Sequence, residues 1–425
     1  MRTTHYFLFC ILFLLSRHAY SAYPIGVDSI MSSVMTSSKE IDSFKKALLA
    51  DDDLVESAKK YFYPKVNLNY EYNDYYGDTA PVNEEDFQAT LELLITLYSD
   101  TAGSKISTAE SNRLSSGYSL KEKVNELYFS IVTSLINIER SRVFLHDANV
   151  LKLQLKDYIA RVSESVNQGI SPNSYLKETE LVKVRFDNII TTVEANVDRY
   201  FKDLSLDTGY IIQDKSKIGV SAEFLERFLQ KERVFDPQLA TRSNFAILAK
   251  YHQVEGLKHS VEALNERMSL SLFSNTDGGL MRTETNSERG VRNTSVIGLR
   301  FQYQLYDVQQ AKTQSSGYNT YLSELALFGN DKENIYLQVQ QLQDNYLTLV
   351  KQRENVLEQV RLSKSLVATQ EREILLGRID FIDIVKSLPE LIRTDVTLLD
   401  NDLELYTTIT SYRRLVSKRF DDEGL

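Results

Sequence analysis

Two stretches of this chain place an apolar residue every three, four or seven positions, with no proline to interrupt them. From Leu127 the series runs through Ile131, Leu135, Ile138, Leu145, Ala148, Leu151, Leu155, Ile159, Val162 and Val166. From Ile335 it runs through Val339, Leu342, Tyr346, Leu349, Val356, Val360, Val367 and Ile374. A spacing between three and four, held this long, predicts a helix whose apolar seam packs on other helices as in a coiled coil. A helix of about 65 residues would be on the order of 100 Å long at 1.5 Å per residue. The 425 residues include only 6 prolines and 16 glycines, with no Ser/Gly-rich linker, so long uninterrupted elements are favoured over many turns. Taken alone, the two seams describe a soluble helical bundle.

The segments ahead of each seam change that reading. "VNLNYEYND" after Pro64 alternates cleanly, and so does the run from Phe87 to Tyr98 beyond the polar stretch "YYGDTAPVNEED". In the second half "MSLSLFSN" and "TSVIGLRFQYQLYD" alternate in the same way, separated by the polar stretch "TDGGLMRTETNSERGVRN", read as a loop. Strands are predicted at about 65–73, 87–98, 268–275 and 294–305. Val66, Leu68, Tyr70, Leu91, Leu93, Leu270, Leu299 and Phe301 fall on apolar faces. Asn67, Asn69, Glu71, Glu92, Arg300 and Gln302 fall on the opposite, polar faces, and are the candidate lumen-facing residues. A half-buried soluble sheet produces such alternation. Strands of about ten residues with tyrosines toward their ends fit a transmembrane barrel better.

The plan occurs twice. Residues 22–206 read as helix, two strands, a long helix at 99–168 and a return helix at 172–206. Residues 236–417 repeat it, with the long helix at 307–376 and the return helix at 378–417. Leu97 and Tyr98 match Leu305 and Tyr306, and Gly169 matches Gly377, at a constant offset. Each glycine ends a long helix and lets the chain turn back. Residues 207–235 form a less regular linker and 418–425 a tail. Leu97 and Leu305 are expected to end their strands, and Asp100 and Asp307 to open the following helices, where an acid suits the N-terminal dipole.

Residues 1–21 read as a signal peptide. Arg2 supplies the basic start, "YFLFCILFLL" the apolar run, and Ala19-Tyr20-Ser21 the small residues of a cleavage site before Ala22. The one cysteine, Cys10, lies inside it, so the mature chain would have neither disulfide nor thiol chemistry. No later stretch approaches 18 consecutive apolar residues, so any crossing of a membrane falls to strands. The formal charge of −10 argues against nucleic acid.

Catalytic patterns are missing from the sequence: there is no P-loop, no dinucleotide-binding glycine pattern and no nucleophile setting. The chain therefore reads as a non-enzyme without a cofactor. His252 and His259 share a helix face at a spacing of seven, but with no third ligand they are expected to be surface residues rather than a metal site.

Two hairpins give four strands, and an open sheet edge cannot sit in lipid with its backbone groups unpaired. Several chains must then share one barrel, two making eight strands or three making twelve. The exported chain, the duplicated helix–hairpin–helix plan, the transitions "ITLYSDTAGSK" (95–105) and "YQLYDVQQAK" (303–312), and the paired glycine turns together resemble the TolC-type outer-membrane factor family. The likeness covers essentially the whole mature chain and rests on architecture and short motifs. It implies an α+β membrane protein, mostly α: a homotrimer with a 12-stranded β-barrel in the bacterial outer membrane, continued by an α-helical coiled-coil barrel through the periplasm.

The implied function is a passive exit duct of a tripartite efflux pump or a type I secretion system. Its implied partners are a periplasmic adaptor and an inner-membrane ABC or proton-driven transporter. Family gate aspartates map onto "GRIDFIDIVK": Asp383 takes the first position, Lys386 stands where the second would be, and Asp380 lies one turn earlier. Lys386 is expected to pair with Asp383 and weaken a carboxylate ring. The turns at Gly169, Ser171 and Gly377 are the implied adaptor-docking tip. The competing reading is a periplasmic coiled-coil structural protein whose hairpins are soluble.

Overall fold

The computed structural model describes residues 25–74, 85–209, 212, 214–221, 224–225, 234–282 and 289–417. The signal segment and the tail lie outside them, as does part of the linker. In chain order the elements are α1 (Val27–Ser37), α2 (Lys39–Lys59), β1 (Lys65–Asp74), β2 (Glu85–Ser99), α3 (Ala102–Asn167) and α4 (Ser174–Thr208). There follow α5 (Pro237–Ser243), α6 (Phe245–Ala263), β3 (Met268–Arg282), β4 (Arg289–Tyr303), α7 (Val308–Leu375) and α8 (Phe381–Leu415). The two seams are single helices of 66 and 68 residues.

Each half opens with a helix that is broken where one continuous helix was expected. Ser38 leaves the helical region with ψ 117° and Asn244 with ψ 124°. Both are residues that compete for backbone hydrogen bonds and start helices well. Ser38 Oγ accepts the Ile41 N–H at 3.3 Å. Ahead of α5, Asp236 accepts the N–H groups of Gln238 and Leu239, and Pro237 fills the first turn, where a missing N–H costs nothing.

The chain forms two compact units. One comprises Ser43–Leu120 and Phe245–Asp331, and the other Met1–Asp42, Lys121–Asn244 and Lys332–Leu425. The first holds a four-stranded antiparallel sheet in the order β1-β2-β3-β4. Of the stretch 276–293, expected to be a loop, residues 276–282 and 289–293 are strand and 283–288 lie outside the described residues: Thr276 pairs with Ser295, Asp277 with Thr294 and Gly278 with Asn293. Polar and glycine content hid the extension of the two expected strands, where pairing with neighbouring strands supplies the regularity that local propensity does not.

The second unit is helical. Its core joins Phe144, Leu155 and Val162 of α3, Phe186 and Ile190 of α4, Val367 of α7 and Ile384, Leu388 and Ile392 of α8. The buried residues of α7, namely Val339, Tyr346, Leu349, Val356, Val360 and Val367, all belong to the seam read from the sequence. Both long helices end in the same motif. Gly169 (φ 74°) donates to Val166 O while Ile170 donates to Ser165 O; Gly377 (φ 67°) donates to Ile374 O while Arg378 donates to Glu373 O. Positive φ at each turn is reached by glycine without the Cβ clash other residues meet.

Candidate functional site

The sheet sorts its residues by register. Asn67 stands opposite Glu92 and Glu71 opposite Gln88; Glu92 stands opposite Asn275, Arg300 opposite Ser271 and Gln302 opposite Ser269. Residues directly opposite in a ladder project from the same face, and parity carries that face along each strand. The structure thus brings Asn67, Asn69, Glu71, Glu92, Arg300 and Gln302 onto one side.

The other side is mostly apolar, interrupted on β3 by Ser274 and Thr276. Val66, Leu68 and Tyr70 lie beside Leu93, Leu91 and Ala89; nearer the helices Ile95 stands beside Leu272 and then Leu299, and Tyr98 beside Leu270 and then Phe301. On the outer strands β1 and β4 these side chains are open to the surroundings: Tyr70 is 67% exposed, Leu299 67% and Phe301 62%. Isolated exposed apolar residues are ordinary, but a largely apolar face of this kind marks a surface that meets something other than water. β1 and β4 form the two ends of the sheet, each with one neighbouring strand.

The strand-to-helix transitions depart from expectation in three places. A bulge falls at Leu97, between the pairs Thr96–Ser271 and Tyr98–Leu270, so Tyr98 joins the face of Ile95. β4 ends at Tyr303, leaving Leu305 beyond the strand and 88% exposed. The two acids also differ in role. Asp307 caps α7, accepting the Gln310 N–H at 3.0 Å. Asp100 does not serve its own helix. Its carboxylate accepts the N–H groups of Arg267 and Met268 at 3.1 and 3.2 Å, stitching the start of β3 to the end of β2.

A side-chain cluster beside this stitch was not legible in the sequence. Glu266 accepts hydrogen bonds from Ser99 Oγ at 2.9 Å, Lys105 Nζ at 2.8 Å and Tyr61 Oη at 3.3 Å. Burial opposes the charged form of Glu266, yet these donors outweigh it and hold its carboxyl below the usual glutamate value. Glu266 sits in a short connection without periodicity, so no pattern announces it.

In the helical unit, Asp380 and Asp383 open α8. The Asp380 N–H donates to the Asp383 carboxylate at 3.3 Å, the reciprocal arrangement of a helix start. Lys386 is attracted by Asp383 but makes its hydrogen-bonded ion pair elsewhere. It bridges to Glu178 of α4 at 2.8 Å, and that hydrogen bond raises its ammonium pKa. The sequence places Asp383 nearest, whereas the packing of α8 on α4 brings a carboxylate from another helix closer. Around the two turns Ile170, Leu375 and Leu376 are strongly exposed. Ser165 and Ser171 hydroxyls meet at 2.7 Å, closing the first turn.

Higher along the same helices, Asp402 of α8 is buried and receives two guanidinium groups, Arg140 of α3 and, at 2.6 Å from its Nε, Arg353 of α7. His252, expected at the surface, is instead half-buried and stacks on Tyr118 with ring centroids 5.5 Å apart. Among the described residues no group of three or more metal-binding side chains converges, and no helix is long and apolar enough to cross a membrane.

Two antiparallel strands followed by a pair of helices of this length, in duplicate, match the fold of solved structures. The CusC channel superposes with a TM-score of 0.76 at 12% identity, covering 95% of this chain and 96% of that one. This is the TolC-like fold. The same TolC-like fold is shared with the Campylobacter jejuni CmeC outer membrane channel, at a TM-score of 0.76, 12% identity and coverage of 92% and 85%. The Vibrio cholerae outer membrane protein VceC aligns at 0.74 and 8% identity, covering 93% of this chain and 96% of its own. By sequence alone the chain matches no family model and no curated protein. The likeness therefore lives in the TolC-like backbone, not in shared residues.

Proposed function

We propose that this chain is an outer-membrane channel: a homotrimer whose twelve strands close a barrel and whose helices continue it as a duct. The observation that carries this reading is the sheet itself, with one largely apolar face, one largely polar face and two edges. Water does not favour the apolar face, and lipid does not tolerate unpaired edges, so closure with further copies in a bilayer satisfies both. The structural neighbours supply a precedent, since CmeC is described as an outer membrane channel and VceC as an outer membrane protein.

In this reading the chain is the passive exit duct of a tripartite efflux pump or a type I secretion system, driven by a separate inner-membrane transporter. The turns at Gly169, Ser171 and Gly377, with exposed Ile170, Leu375 and Leu376, are the surface an adaptor would grip. Asp380 and Asp383 are the candidate gate carboxylates. Lys386 is bridged to Glu178 and acts on Asp383 through a weaker charge attraction, so it offsets a carboxylate ring less than a direct pair would.

The test is assembly and conduction. The mature chain, extracted from membranes in mild detergent, should have the mass of a trimer and open discrete conductances in planar bilayers. A monomer that leaves the cell fraction without detergent would favour the structural coiled-coil alternative instead.

A further inference from the structure

The polar face of the sheet is not uniform in charge. At the end adjoining the helices it carries Arg300 and Lys65, and each is laid over an aromatic ring. The guanidinium carbon of Arg300 is 4.9 Å from the centre of the Phe273 ring, and Lys65 Nζ is 5.8 Å from that of Tyr61. Phe273 stands opposite Gly298. A Cβ at 298 would come within 2.9 Å of the Phe273 ring, so the glycine leaves room for the ring to lie across β4. The ring then forms a flat bed for Arg300, one same-face step along the strand.

The rung of Arg300 holds only neutral partners, Ser271 and Thr96. Further out, the acids of this face are Glu92 opposite Asn275, Asp277 opposite Thr294, and Glu71 opposite Gln88; on the helix side, Glu266 lies against Ser99 and is already paired with Lys105. Among the described residues no ion pair holds Arg300 or Lys65. A cation on an aromatic face is oriented while keeping its full charge, unlike one neutralised by a carboxylate. β1 and β4 are the ends of the sheet, so closing a barrel from several copies sets Lys65 of one copy and Arg300 of the next on adjoining strands.

From this geometry we propose that Arg300, with Lys65, forms a cationic collar at the helix-side end of the barrel and biases the duct toward anionic solutes. The proposal rests on the channel reading above. Rings of arginine or lysine attract anions in pores, and a charged wall of low dielectric raises the local concentration of the opposite sign. The negatively charged members of the cargo would be drawn through this level in preference to cations of the same size. A ring at the wall of a wide barrel acts within a screening length of about 10 Å at 0.1 M salt. The effect belongs to dilute solutions.

Reversal potentials of the purified trimer in planar bilayers under a potassium chloride gradient provide the test. Arg300→Gln should lower the chloride-to-potassium permeability ratio a few-fold in dilute salt, Lys65→Gln should lower it less, and Arg300→Lys should keep it. The difference should fade in concentrated salt. Conducting Arg300→Gln channels with an unchanged reversal potential would overturn the collar and leave the duct standing. Wild-type protein that opens no conductance at all would overturn the duct, and the collar with it.

Discussion

The long helices α3 and α7 occupy equivalent places in the two halves, yet they are buried in different ways. Between Leu127 and Ile138, α3 hides Leu127, Tyr128, Phe129, Ile131, Val132, Leu135, Ile136 and Ile138. So many consecutive positions cover most of the helix circumference, which is the signature of an element enclosed by its own chain. Along α7 the buried residues form one narrow stripe, through Val339, Tyr346, Leu349, Val356, Val360 and Val367. Leu337, Leu347, Leu357, Leu362 and Leu366 remain exposed on other faces. A helix with one stripe satisfied and further leucines uncovered is built for neighbours that a single chain does not supply. The two halves have therefore diverged: α3 is enclosed within the helical unit, whereas α7 keeps a set of leucines uncovered.

Asp402 offers the strongest way to break that comparison, because it binds both helices through Arg140 and Arg353. Removing one partner from a buried ion cluster strands the remaining charges. Asp402→Ala should cost about 3–5 kcal/mol of stability, read as a lowered midpoint of denaturant unfolding. A loss no larger than that of a surface substitution would mean the cluster does not join α3 to α7.

Next in size is a matched pair of truncations. Leu135→Ala on α3 should cost about 2–5 kcal/mol, as a filled core position becomes a cavity. Leu347→Ala on α7, 49% exposed, should change the unfolding of the chain itself by no more than about 0.5 kcal/mol. Its effect should appear in self-assembly, as a shift from trimer to smaller species by light scattering on dilution. Equal costs in unfolding would erase the distinction between the two helices.

The smallest expected effect is a pH dependence at the place where α3, α7 and α8 meet. Asp395 of α8 lines a cavity of about 210 Å³ together with Arg140 and Asp147 of α3 and Lys364 of α7. Burial pushes its carboxyl pKa up; Lys364 works against this and Asp147 adds to it. A carboxyl raised by folding is least comfortable when ionised, so its penalty is present above the raised pKa and lifts as the pH falls through it. Asp395→Asn should therefore raise the melting temperature modestly at neutral pH, with the gain vanishing in mild acid. A gain that persists unchanged in acid would place the cause in packing rather than charge.

Several elements were legible because a period or a singular residue encodes them. The seam of α7 coincides with its buried stripe, the glycines at 169 and 377 end their helices at positive φ, and the alternating runs sort into one polar and one apolar face. Other features were hidden where local signals mislead. The glycine-rich stretch around Gly278 and Gly279 reads as a loop and is strand, because pairing with β2 and β4 overrides its weak propensity. Asp100 reads as a helix cap and serves the neighbouring strand instead, and Lys386 pairs across to α4 rather than along its own helix. Each error concerns a partner distant in sequence.

That division has a physical basis. Secondary structure, its duplication and the two-sidedness of the sheet follow from spacing along the chain, since backbone geometry converts a period of two or of three to four directly into a face. The sequence by itself determined those. Which side chain answers which charge depends on how elements settle against one another, and only the tertiary structure decided that Glu266 gathers Lys105, Ser99 and Tyr61, that Asp402 holds two arginines, and that Phe273 lies over Gly298 to seat Arg300. Contacts between residues far apart in the chain carry no period, so nothing local records them.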